Sequence, residues 1–166
     1  MSEALKKINN KIFDLQLLMK KIEKWRSENK KIVFTNGCFD LIHLGHIEIL
    51  ARSSDFGDKL IIGVNSDLSI KKLKGKNRPI IEESSRIKQL SALEFVDAVA
   101  LFDEETPLKL IETIKPDVIT KGGDYTAKNV VGNEVVSQKN GEVVIIPLTQ
   151  GYSTTSILNK IKKIYF

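Results

Sequence analysis

Cysteine occurs once in the 166 residues, at Cys38, and histidine twice, at His43 and His46. A single thiol excludes an internal disulfide framework, and with so few histidines it also excludes a clustered thiolate or zinc site. Aromatic residues make up only 7% of the chain and are not interleaved with the basic ones, so the stacking-and-charge footprint of a nucleic-acid surface is missing. No apolar run approaches the roughly 20 residues a membrane span needs; the longest, around Leu60 to Ile62, is a handful. The segment from Met1 to Trp25 has neither a contiguous apolar core nor a small-residue cleavage site. It does not read as a secretory signal, and a cytoplasmic enzyme is the expectation.

What is present is ordinary globular material: 42% hydrophobic and 28% charged residues, enough for one domain around one core. The net charge of +5 favours an anionic partner, and a nucleotide or a sugar phosphate suits it without any polynucleotide. Residues 3–28 carry apolar side chains at Leu5, Ile8, Ile12, Leu15, Leu18, Met19, Ile22 and Trp25, one stripe at helical spacing. This predicts an N-terminal amphipathic helix over 1–29, packed on the following domain or on a second subunit.

From Lys31 the pattern alternates. Short apolar runs at 32–34, 59–64, 96–101, 117–120 and 142–147 are separated by helical stretches at 43–54, 82–93 and 106–114, with a closing helix at 153–164. Short buried strands alternating with helices predict a single doubly wound α/β domain over 30–166, built on a parallel sheet. Ligands of such sheets bind at the carboxyl ends of the strands. The first strand leads there into Thr35-Asn36-Gly37-Cys38-Phe39-Asp40-Leu41-Ile42-His43-Leu44-Gly45-His46.

Two histidines three residues apart at a helix mouth lie beside free backbone N–H groups and the positive end of the dipole. Gly45 between them offers a backbone that a phosphate can approach closely. Imidazole donors together with oriented amides suit negative charge developing at phosphorus. A second anion site is legible at Gly151-Tyr152-Ser153-Thr154-Thr155-Ser156, where hydroxyls crowd the start of the last helix. An ordinary helix cap accounts for one of those hydroxyls but not for the run.

The stretch from Thr35 to His46, together with Ser153 to Ser156, resembles the HxGH nucleotidyltransferase (cytidylyltransferase-like) superfamily. Between Lys31 and Ile161 the chain most resembles the bacterial heptose 1-phosphate adenylyltransferases. The matching segments are Val64-Asn65-Ser66-Asp67, Lys71 to Gly75, Asn77-Arg78-Pro79, Leu93 to Asp97 and Lys121-Gly122-Gly123-Asp124-Tyr125. The resemblance implies a Rossmann-like fold and transfer of AMP from ATP to heptose 1-phosphate, giving ADP-heptose for lipopolysaccharide core biosynthesis. It implies Mg²⁺ carried mainly on the nucleotide phosphates, a separate sugar kinase and phosphatase upstream, and leaves room for a homo-oligomer.

On this resemblance His43, His46 and Lys74 act on the α-phosphate and pyrophosphate. Thr35, Gly37, Cys38, Phe39, Gly45, Lys121, Gly123, Asp124, Ser153, Thr154 and Thr155 hold the nucleotide. Asp40, Asn65, Asp67, Lys72 and Arg78 face the acceptor. By residue chemistry alone the lysines of 71–76 are either a mobile cation source or a solvated charge run. Likewise 121–125 is either a nucleotide loop or a turn, and Arg86 is open to an ordinary salt bridge. Relatives often carry a Glu-x-Arg where Ser84-Ser85-Arg86 stands. Glycerol-phosphate cytidylyltransferases carry an arginine where Pro147 to Gln150 stands, which counts against the alternative, cytidylyl transfer to an alcohol phosphate.

Overall fold

The computed structural model describes residues 1–123 and 125–165. Five strands, β1 (Ile32–Gly37), β2 (Lys59–Asn65), β3 (Ala98–Phe102), β4 (Val118–Gly122) and β5 (Glu142–Ile146), form one sheet in the order β3-β2-β1-β4-β5. Every pairing is parallel. Helices α3 (Leu44–Ser54), α4 (Asp67–Lys74), α5 (Glu83–Ser91), α6 (Leu108–Ile114) and α7 (Asn133–Ser137) fall between the strands, and α8 (Thr154–Tyr165) closes the chain. This is the doubly wound, Rossmann-like arrangement that the alternation predicts.

Strand alternation sends successive side chains to opposite faces. On one face Ile32, Phe34 and Ile61 join Leu110, Ile111 and Ile114 of α6. On the other, Val33, Leu60, Ile62 and Val64 join Leu50 of α3 and Leu90 of α5. Both faces are therefore dry, which is why the strands read as continuous apolar runs rather than alternating ones. β1 is flanked by β2 and β4, so the chain order reverses at β1, and a crevice opens beyond its carboxyl end.

The single N-terminal helix expected over residues 3–28 is instead two, α1 (Glu3–Asn9) and α2 (Leu15–Ser27). Lys11 to Phe13 lie extended along β3: the Phe13 amide donates to Val99 O at 3.0 Å, and the Val99 amide donates to Lys11 O at 2.7 Å. Two causes outweigh the helical stripe. The Asp14 carboxylate starts α2 afresh, capping it by accepting from the Leu17 amide at 2.8 Å. The edge of β3 also gains ladder partners it otherwise lacks. Nor is α2 an appendage, because Leu18 and Ile22 are fully buried against the sheet.

The lysine run is the second difference. Lys71, Lys72 and Lys74 form the last turn of α4, which Ser66 caps and which Gly75 ends at φ 91°. Cations at a helix C-terminus are favoured by the dipole, so the run has a fixed helical frame. The short α7 and a 3₁₀ turn at Ala127–Asn129 fall where no element is predicted.

Because α2 supplies core, Ile22→Ala removes fully buried apolar volume and should cost about 2–5 kcal/mol. Urea unfolding measures it; a loss well under 1 kcal/mol would mean that α2 rides on the surface.

Candidate active site

Strand β1 ends at Gly37, and the chain then crosses the carboxyl edge of the sheet through Cys38 to Ile42 before entering α3. Phe39 sits there at φ 47° with its ring buried. Side chains from β1, α3, α4, β4 and the β5–α8 connection line a cleft of about 390 Å³ at this edge.

His43 is the N-cap of α3, in extended backbone, and its side chain makes no capping hydrogen bond. The first-turn amides of α3 therefore have no side-chain cap at the cleft, which is the arrangement that attracts an anion. The His43 and His46 rings stack with centroids 3.8 Å apart and planes at 22°, and Phe39 meets His46 edge-on at 5.3 Å. Gly45 lies close under that stack: a Cβ there would stand 3.2 Å from His43 Nδ1, a tight contact, and 3.4 Å from Tyr152 Cβ, an ordinary one. The room is thus taken up by the His43 ring and Tyr152, in addition to whatever approaches the backbone.

Burial lowers the pKa of both histidines, and for His46, with His43 and Lys74 adding repulsion and the Leu41 carbonyl opposing, it falls to about 4. Both rings are neutral at pH 7, and Nδ1 of each is buried without a hydrogen-bond partner. An arriving polyphosphate reverses the electrostatics, since negative charge favours the imidazolium. On the far wall Lys121 donates to Asn36 Oδ1 at 3.2 Å and stands 5.8 Å from the Tyr125 ring centroid. Its pKa is lowered by burial, with the nearby Cys38 acting in the opposite sense.

At the start of α8, Ser153 and Ser156 cap each other reciprocally. The Ser156 amide donates to Ser153 Oγ at 3.0 Å, and the Ser153 amide donates to Ser156 Oγ at 3.1 Å. That leaves the Thr154 and Thr155 hydroxyls for the cleft they line. Thr149 donates to the Glu48 carboxylate, which ties the β5–α8 connection to α3.

The structure brings together at this cleft His43, His46, Lys74, Thr35, Gly37, Cys38, Phe39, Gly45, Lys121, Ser153, Thr154 and Thr155. The Thr35 hydroxyl is occupied, donating to Thr120 O at 3.0 Å. Gly123 lies outside the lining, at φ 120°, with its amide donating to Ile146 O at 3.1 Å, and Asp124 lies outside the described residues.

The five residues expected to face the acceptor are not among those lining the cleft. Asp40 is 2% exposed, accepts from the Ile80 and Ile81 amides at 2.7 and 2.9 Å, and pairs with Arg78. Burial pushes its pKa up, but the Ile81 and Ile80 amides and Arg78 outweigh it, so the carboxylate stays ionised. Asn65 donates to Ser69 Oγ at 3.0 Å, Asp67 accepts from Arg86 at 2.8 Å, and Lys72 is exposed. Asp40, Asn65 and Asp67 thus spend polar atoms on the scaffold, a use that residue type cannot distinguish from ligand contact, whereas Arg78 keeps Nη2 buried without a hydrogen-bond partner.

Asn36, Ile49, Gly122, Tyr125, Leu148, Thr149 and Tyr152 also line the cleft without having been singled out as site residues. Tyr125 and Tyr152 stand inside the motif segments, so they were within reach. Ile49 carried no signal, since it looks like any apolar helix residue until the sheet beneath it is seen. A Cβ on Gly122 would come within 2.5 Å of its Cδ1.

A parallel sheet with its crevice at the order reversal, two helix starts at one cleft and a paired-imidazole wall define a Rossmann-like nucleotidyltransferase. Residues 34–160 match the cytidylyltransferase-like family, and the chain belongs to that family. It is 50% identical over 155 residues to a bifunctional protein HldE of Geobacter metallireducens, covering 93% of this chain and 32% of that protein. With the bifunctional protein HldE of Koribacter versatilis identity is 45% over 159 residues, covering 96% and 33%. The chain thus spans about a third of the length of these relatives. The crystal structure of the lipopolysaccharide core biosynthesis protein from Thermoplasma volcanium superposes with a TM-score of 0.58. Its identity is 33%, over 75% of this chain and 99% of that one.

The histidine pKa has a consequence for stability. The unfolded chain takes up a proton at His46 near pH 6.5, whereas the folded chain does so only near pH 4. Between those values the unfolded state binds more protons, so stability falls as pH drops. Proton-detected titration should find the His46 ring neutral down to about pH 4. A midpoint near 6.5 would show a solvated ring.

Proposed function

We propose that the chain transfers the adenylyl group of ATP to heptose 1-phosphate, forming ADP-heptose and pyrophosphate. The observation that carries this reading is the stacked His43–His46 pair at the uncapped start of α3, in one cleft with Ser153, Thr154 and Thr155. The relatives favour it. Nucleotidyl transfer fits the cytidylyltransferase-like family, and a sugar phosphate acceptor fits a neighbour named for lipopolysaccharide core biosynthesis. The Asn65-Ser66-Asp67 and Lys121-to-Tyr125 segments point within that class to the heptose adenylyltransferases.

A phosphate oxygen of the sugar 1-phosphate attacks the α-phosphorus in line. The new oxygen–phosphorus bond forms as the bond to the β-phosphate oxygen breaks, and pyrophosphate carries away that electron pair. No side chain is acylated or phosphorylated, so the protein contributes position and charge. The two imidazoles and the α3 amides stabilise the charge growing on the α-phosphate oxygens. Lys74, at the end of α4, faces the departing pyrophosphate, and the α8 hydroxyls hold the β- and γ-phosphates.

No carboxylate is among the described residues lining the cleft, and no three His, Cys, Asp or Glu side chains among them cluster as a metal cage. Mg²⁺ in this reading belongs to the ATP phosphates, which is its habit with nucleotides. No helix among the described residues is long and apolar enough to cross a membrane.

Pyrophosphate release, measured with ATP or CTP against heptose 1-phosphate and glycerol 3-phosphate, tests the reading. Release with ATP and the heptose phosphate is expected. Release only with CTP and the alcohol phosphate would replace both substrates while keeping the histidine chemistry. His46→Ala should lower kcat/KM by about 10²–10³ with the melting temperature kept, the usual cost of losing one preorganised donor. Undiminished turnover in that variant would remove the histidines from the mechanism.

A further inference from the structure

The largest fully buried side chain in the described structure is a charged one, Arg86 on α5, with no exposure at all. It lies outside the cleft lining. Its guanidinium makes three hydrogen bonds to three separate segments. Nη1 donates to Cys38 O at 2.6 Å, Nε to Ile81 O at 2.9 Å and Nη2 to Asp67 Oδ1 at 2.8 Å.

Each partner leads to the site. Cys38 lines the cleft and opens the loop that delivers His43. Asp67 is the first residue of α4, whose last residue, Lys74, lines the same cleft. From Asp67 to Lys74 the helix is a stiff lever about 10 Å long, at 1.5 Å per residue. Ile81 closes a ring, because its amide donates to Asp40 at 2.9 Å, and Asp40 stands two residues beyond Cys38. The Cys38–Asp40 and Ile81–Arg86 segments are thus cross-linked twice by buried ionic groups. Glu83, on the same helix as Arg86, accepts from the Asp67 amide at 2.7 Å and holds the start of α4 a second time.

We propose that Arg86 is a positioning residue for the transfer reaction: its buried fork sets the place of the Cys38–His43 loop relative to Lys74 on α4. The claim rests on the adenylyltransferase reading. A planar guanidinium with donors in fixed directions suits the task where an ammonium does not, since one Lys nitrogen cannot span the three directions. Removing the fork leaves the cleft lining chemically intact and lets its two walls shift. A displacement of about 1 Å at the reacting groups costs on the order of a hundredfold in rate.

The test uses the full chain carrying Arg86→Lys, which keeps the charge, and Arg86→Gln, which keeps hydrogen-bonding atoms without it. Each is measured by thermal unfolding, by pyrophosphate release resolved into kcat and the KM for ATP, and by iodoacetamide alkylation of Cys38, the only thiol present. The expected result is a cooperative melt and a kcat reduced about a hundredfold, with the KM for ATP changed less than about threefold. Cys38 should alkylate about tenfold faster as its loop opens locally.

A folded variant with kcat near that of the wild type and an unchanged alkylation rate overturns the proposal. So does a kcat loss that only tracks the unfolded fraction. Failure of both variants to fold would likewise overturn it, making Arg86 a requirement of folding alone. If the wild-type chain releases no pyrophosphate from any substrate pair, the adenylyltransferase reading fails, and the alkylation rates decide the positioning role without it.

Discussion

The loop from Cys38 to His43 is held by buried charge, and the geometry of the cleft depends on that. A segment that lines an open cleft with backbone amides and imidazoles cannot also be packed on all sides with hydrocarbon. Asp40 and Arg86 solve this from beneath. The carboxylate takes two amides and Arg78, and the guanidinium takes two carbonyls and Asp67. Burying either group alone would be costly, and each persists because it is paired and hydrogen-bonded. Such a network has directions as well as energy, so it fixes where the loop lies as well as that it lies there.

The sheet places this network where it has an effect. Reversal of strand order at β1 leaves room beyond its carboxyl end, and α3 starts in that room with no side chain capping it. The histidine stack completes the wall, with Gly45 beneath the His43 ring, where an added Cβ would be in tight contact with it. α8 contrasts with the rest: none of its residues is buried, and near the cleft it is tied to α3 through Thr149 and Glu48. The two helix starts at the cleft therefore differ in firmness, one anchored in the core and the other held at its threshold.

Strand and helix alternation was legible because both faces of the sheet are dry and each element is short and apolar. The N-terminal helix misled for a physical reason. Ile8, Ile12 and Leu15 keep helical spacing across the break, and period alone cannot see that β3 has an open edge for Lys11 to Phe13 to join. The lysines of 71–74 misled differently: charge and a following glycine suggest mobility, while Ser66 and Asp67 just upstream carry the start signal of a helix.

For the site, the sequence by itself determined the chemistry on offer. It holds two histidines and one cysteine in all, a glycine between the histidines and a hydroxyl run before the last helix. Local spacing suffices for these because the groups of each motif are neighbours along the chain. Which polar residues serve the cleft and which serve the frame was decided only by tertiary structure. Asp40, Asp67, Arg78 and Arg86 look alike in sequence, as charged residues near motifs. Each one's role depends on partners about 20 to 50 positions away, and only folding brings those partners within hydrogen-bond distance.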